Sequence, residues 1–309
     1  MPKKYTLEIP LYARPVEQLL KLNQSKHLAI SVYGGVPDSP LNGGRNNGMI
    51  DGIFMWDRML FALKRKQLER LTKKFYETVA RFNAGGISFR LAYTNLFVEE
   101  NELNETNLYP IQWLVESSRK HGVKNGIIIN NTRLEAHVRR LYGDALVYIS
   151  SCTKYVDPHR ILSPKETKTL YMKDVAQYDY VVLTSQDSRR ESVLKDMAEA
   201  CSGRIMAIAT SYCGFGCNSY DHYKFISQLN KTSLLKLSDW KAILMSVGFM
   251  VPHLPNCPIL TPVNFEKIVI MQLNAGILHF KMGRGNGEYI FEKVVDRIEK
   301  HAISTSAIA

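Results

Sequence analysis

Two thiols four residues apart, Cys213 and Cys217, lie in the stretch IMAIATSYCGFGCNSYDHY from Ile205 to Tyr223. Gly214 and Gly216 loosen the chain around them, so both sulfurs can turn toward one centre. Thiolates so spaced suit zinc or an iron–sulfur cluster. A third cysteine, Cys257, follows in PNCP, and Cys152 completes a possible set of four. The alternative is ordinary packing, because an unligated cysteine behaves as a small buried hydrophobe. His222 and His253 could join the thiolates in a zinc site. The radical-enzyme signature C-x3-C-x2-C is not met, since its third position is Tyr220.

Other side chains could bind or react at strand ends. Arg90, Asn130 and His222 are the candidate catalytic residues; Tyr93, Lys281 and Arg284 are candidates for substrate binding. Lys281 and Arg284 stand beside Gly283, Gly285 and Gly287, where backbone amides can approach an anion closely. A glycine-rich turn carrying a solvated lysine is the plainer reading of the same residues.

The elements that must position these groups alternate along the chain. Apolar strand patterns fall at 28–33, 86–92, 126–130, 145–149, 180–183, 205–209, 259–260 and 277–282. Helical periodicity falls at 58–81, 107–121, 132–141, 188–200, 264–273 and 289–301. Ser163-Pro164-Lys165-Glu166 opens a further helix, with a serine cap, proline at the first position and glutamate at the third. Eight strands, each followed by a helix, predict an α/β fold of the (β/α)8 barrel type over one domain, 1–309. Within it a long loop is expected at 34–57 and an excursion at 213–257. The first strand is not followed by G-x-G-x-x-G, which disfavours a dinucleotide-binding sheet.

Strand order sorts the cysteines by barrel end, because barrel sites gather at the carboxyl ends of the strands. Cys152 follows a strand directly. Cys201 precedes one and belongs to the opposite end. Cys257 precedes the expected strand at 259–260, so it joins the set only if the excursion carries it back.

The chain has 309 residues, net charge +11 and pI near 9.3, which favours an anionic small molecule or RNA as partner. The densest basic run, Lys64 to Lys74, has the leucine spacing of a solvated helix face. None of the common nucleic-acid-binding signatures is present, and DNA is not expected. No apolar run reaches membrane-spanning length and the N-terminus lacks the apolar stretch of a secretory signal, so a cytoplasmic protein is expected. Five cysteines are too sparse for a disulfide scaffold.

Three pieces together carry a family resemblance. They are C-x3-C-x2-Y-x-H-Y from Cys213 to Tyr223, Leu260-Thr261-Pro262 leading into a helix, and G-I-x-x-F-K-x-G-R from Gly276 to Arg284. In that order, after YDYVVLT, they resemble the collagenase-like peptidase family, which includes ubiquinone-biosynthesis and RNA-hydroxylation proteins. The resemblance runs from Ile87 to His301. It implies an eight-stranded barrel and, in several branches, a [4Fe-4S] cluster on four cysteines, with Cys213, Cys217 and Cys257 at matching positions. It further implies hydroxylation chemistry in those branches, a peptidase label in others, and a protein partner in a heterodimer or homo-oligomer. A peptidase-like hydrolase, with zinc or no metal, and a non-catalytic scaffold for RNA or protein are the rival readings.

Overall fold

The segment YTLEIP, Tyr5–Pro10, is the first strand, β1. Its alternation explains its place. Tyr5, Leu7 and Ile9 are buried on one face, and the Tyr5 hydroxyl lies 2.9 Å from His301 Nδ1 on the last helix. Thr6 and Glu8 occupy the other face and pair in register with His279 and Lys281. A strand with helices on one side and polar partners on the other belongs in a barrel wall.

The computed structural model describes residues 5–11, 13–43, 65–155, 162–201, 203–210, 224, 227–228, 230–231, 264–283 and 288–306. After β1 come β2 (Leu28–Gly34), β3 (Ser88–Tyr93), β4 (Gly126–Ile129), β5 (Val147–Ser150), β6 (Tyr180–Val182), β7 (Ile205–Thr210) and β8 (His279–Met282). They follow one another as a closed barrel in the order β1 to β8, and the pairings β1–β8, β3–β4, β5–β6, β6–β7 and β7–β8 are parallel. The α-helices among the described residues are α1 (Val16–Leu22), α2 (Arg65–Ala84), α3 (Glu105–His121), α4 (Thr132–Tyr142), α5 (Pro164–Val175), α6 (Glu191–Cys201), α7 (Phe265–Asn274) and α8 (Glu288–Ser306). The fold is a (β/α)8 barrel.

The strand count of eight agrees with the sequence, but the membership differs. Tyr5–Pro10 is a strand that apolar runs alone do not reveal. The expected strand at 259–260 lies outside the described residues, and β7 pairs directly with β8, Met206 with His279 and Ala207 with Phe280. No strand therefore separates them in the barrel. Among the described residues the next element after β7 is α7.

Helix ends follow local chemistry. Asn104 caps α3 by accepting from the Asn107 amide, and Gly122 ends that helix at φ 66°, a left-handed conformation that glycine adopts without a Cβ penalty. Asn131 caps α4 through the amides of Arg133 and Leu134. The capping box expected at Ser163 and Glu166 opens α5, with Pro164 at its start.

The described residues gather into two compact units. One takes those within Met1–Val32, Tyr148–Cys217 and Pro258–Ala309; the other takes those within Tyr33–Val147 and Asn218–Cys257.

Candidate functional site

In the first unit, the barrel-facing side of β1 and β8 is polar. Its lower layer is closed by His279. The ring accepts from or donates to Thr6 Oγ1 at 2.7 Å through Nδ1 and lies 3.1 Å from the Gly203 carbonyl through Nε2. A carbonyl only accepts, so Nε2 carries the proton and the Thr6 hydroxyl donates to Nδ1. Tyr180 meets the ring edge-on at 4.9 Å between centroids. Burial pushes the imidazole down to about 4, against the weaker opposing effect of the Gly203 carbonyl, so it is neutral at physiological pH.

One layer toward the carboxyl end, Lys281 Nζ is ion-paired with Glu8 Oε2. Glu8 is completely buried and the Lys281 side chain is 11% exposed. At the top of the same wall the Gly283 amide donates to the Thr210 carbonyl and to Thr210 Oγ1, both at 2.9 Å. This clamp joins the two points where the chain leaves the described residues. One exit leads to Cys213, Cys217, His222 and Cys257, the other to Arg284; all five lie outside the described residues.

Cys152 is described. It starts a single 3-10 turn, Cys152–Lys154, directly after β5, and is partly exposed. Asp174 on α5 anchors that turn. It accepts from Ser150 Oγ at 2.7 Å and from the Tyr155 hydroxyl in a short bond, and Lys154 Nζ lies 2.8 Å from Oδ2. Burial alone would raise this carboxyl, but the bonds from Lys154, Tyr155 and Ser150 outweigh it and lower it. A second anchor lies beside it. Asp187 accepts from Tyr171 at 2.7 Å, from Thr184 at 2.8 Å and from Arg190 at 3.1 Å. The rings of Tyr155 and Tyr171 meet at 4.5 Å. Cys152 is thus held on a stiff turn at the carboxyl end of β5.

Cys201 ends α6 ahead of β7, as strand order predicts. Its thiol donates to the Met197 carbonyl at 3.2 Å and lies 3.8 Å from Met172 Sδ. Burial pushes that thiol up, which opposes the thiolate a metal needs.

In the second unit the carboxyl-end loops are bound together by asparagines. Asn95, fully buried, donates to the carbonyls of Pro40 at 2.7 Å, Asn42 at 3.2 Å and Ser227 at 2.9 Å. Its Oδ1 accepts from the Phe97 amide at 2.8 Å. Asn230 adds a bond to the Asn42 carbonyl, and Lys231 an ion pair to Glu102. Gly43 makes the close approach possible: a Cβ there would fall 1.6 Å from the Thr94 carbonyl oxygen. Asn130 donates to that same carbonyl at 2.9 Å.

The other two candidates in this unit point elsewhere. Arg90 donates to the Lys124 carbonyl at 2.7 Å; Lys124 precedes β4, so the guanidinium reaches toward the amino end of the wall. Tyr93 is fully buried, with its hydroxyl donating to the Asn107 carbonyl at 3.1 Å on α3, and burial pushes the phenol up. The residue that sequence reading missed is Glu8. Its signal was the alternation of Tyr5, Leu7 and Ile9 with Thr6 and Glu8.

Among the described residues no group of three or more histidines, cysteines and carboxylates could hold a metal ion. No helix among them is long and apolar enough to cross a membrane.

The strand order defines the class, a (β/α)8 barrel. No family model matches the chain, and no curated protein matches it. Solved structures do. One, described as a U32 peptidase, is 13% identical, covers 93% of this chain and 95% of its own, and has a TM-score of 0.49.

Proposed function

We propose that the chain is a single-domain barrel enzyme of the collagenase-like peptidase family. In this reading Cys213, Cys217, Cys257 and Cys152 hold a [4Fe-4S] cluster, and the enzyme acts in hydroxylation or a related redox modification of an anionic metabolite or RNA. The observation that carries it is the direct pairing of β7 with β8. In sequence, Cys213, Cys217 and Cys257 all fall between β7 and α7. Cys152 stands at the carboxyl end of β5.

The donor set suits the group: four thiolates are the ligands of a cubane cluster. Bound there, the cluster would supply one-electron redox chemistry near the carboxyl ends of the strands. The Asp174 anchor would hold the Cys152 turn in place. Lys281 is already matched by Glu8, so Arg284 is the stronger anion candidate in this reading, and His222 and Asn130 remain candidate polar groups. Arg90 and Tyr93 serve the wall in this reading rather than the substrate.

Anaerobic purification and reconstitution test it. About four irons and four sulfides per chain are expected, with the brown colour of a thiolate cluster. A colourless chain without iron after reconstitution would contradict the proposal, and stoichiometric zinc would replace it with the hydrolase reading.

A further inference from the structure

We infer that Glu8 is a ligand-binding residue, whose Oε1 accepts a hydrogen bond from an ammonium or hydroxyl group of a small polar ligand on the barrel-facing side of β1 and β8. Glu8 is 0% exposed, and its Oε2 is taken by Lys281. Its Oε1 is buried and has no hydrogen-bond partner among the described residues. Leaving an acceptor of an ionised carboxylate buried and unserved is costly, so such an atom calls for a donor from outside the chain.

Two other carboxylates of the same unit, Asp174 buried and Asp187 partly buried, sharpen the point. Asp174 receives Ser150, Tyr155 and Lys154, while Asp187 receives Tyr171, Thr184 and Arg190. Those two are saturated structural anchors, and Glu8 is not. Its neighbours on the wall are not fully closed off. Ile208 pairs with Lys281 in register yet is only partly buried, and the Lys281 side chain retains 11% exposure.

The chemistry of the ligand follows from the pair. Lys281 has its counter-charge, so what the pair presents is an acceptor. An N–H or O–H donor satisfies it, whereas an anion would meet the carboxylate at close range. The inference needs neither the cluster nor the family assignment, because binding can be measured whatever the metal content.

Ethanolamine, which carries both donor types, and acetate, an anion of similar size without one, are the probes. Titrated into the full chain by ligand-observed NMR, ethanolamine is expected to saturate with Kd on the order of 1–10 mM, typical of so small a ligand. Acetate is expected not to bind. Glu8→Gln should weaken ethanolamine at least about ten-fold. Should that variant fail to fold with Lys281 unmatched, Glu8→Asp keeps the charge pair but withdraws the carboxylate, and should show the same loss. Three results would overturn the inference: no saturable ethanolamine binding, unchanged binding in Glu8→Asp, or acetate binding in preference to ethanolamine.

Discussion

The two units solve the same problem, fixing polar groups inside a barrel, with different chemistry. Around Asn95 the bonds are neutral, and both ends of the amide are used. Around Glu8 the bond is ionic, and one carboxylate oxygen is left over. The Asn95 amide is fully used and fixes loops, although Asn42 Oδ1 beside it has no hydrogen-bond partner among the described residues. A charged, unsaturated pair costs stability and keeps binding capacity in reserve. The β1–β8 wall is therefore where the inferred polar ligand is to be sought, and the Asn95 bonds read as scaffold.

The widest gap between the two should appear when one partner is removed. Lys281→Met leaves Glu8 buried without its counter-charge and is expected to cost about 3–5 kcal/mol in urea unfolding. The double variant Glu8→Met with Lys281→Met should recover most of that loss. If the double variant is no better than the single, the pair is not the source.

A pH titration probes the layer beneath. His279 is held down at about 4 by burial, whereas an unfolded histidine titrates near its usual value of about 6.5. The unfolded chain therefore binds the extra proton first as pH falls. The contribution is fully present above about 6.5 and is lost as pH drops toward about 4, up to about 3 kcal/mol. His279→Gln should flatten the stability profile across that window; an unchanged profile would assign the slope to other groups.

Asn95→Ala is the matching test on the scaffold side. Removing the amide takes one bond from each of three loop carbonyls and the acceptor from the Phe97 amide, at an expected cost of about 2–3 kcal/mol. Limited proteolysis should then cut first in the loop after β2, while ethanolamine binding stays as in the wild type. Loss of that binding would break the division between scaffold and site.

Much of the barrel was legible because its strands are short apolar runs such as GIII in β4 and its helices carry explicit caps such as Ser163 and Asn131. β1 was not, because Thr6 and Glu8 face polar partners and interrupt the apolar pattern. The expectation at 259–260, which lies outside the described residues, kept the count at eight. Site chemistry was legible by residue type alone. That Arg90 turns to the Lys124 carbonyl, that Tyr93 spends its hydroxyl on α3 and that Lys281 is already paired are tertiary facts with no local signature.

The central claim is that the thiols after β7 bind a cluster and Cys201, at the end of α6, does not. Iron and sulfide content after anaerobic reconstitution, compared between Cys217→Ala and Cys201→Ala, tests it directly. Cys217→Ala should lose the metal and gain protease sensitivity between β7 and α7, because ligation there is also folding free energy. Cys201→Ala should keep a full complement, at a packing cost on the order of 1 kcal/mol. Equal metal in Cys217→Ala and the wild type, or metal lost only in Cys201→Ala, would contradict the account.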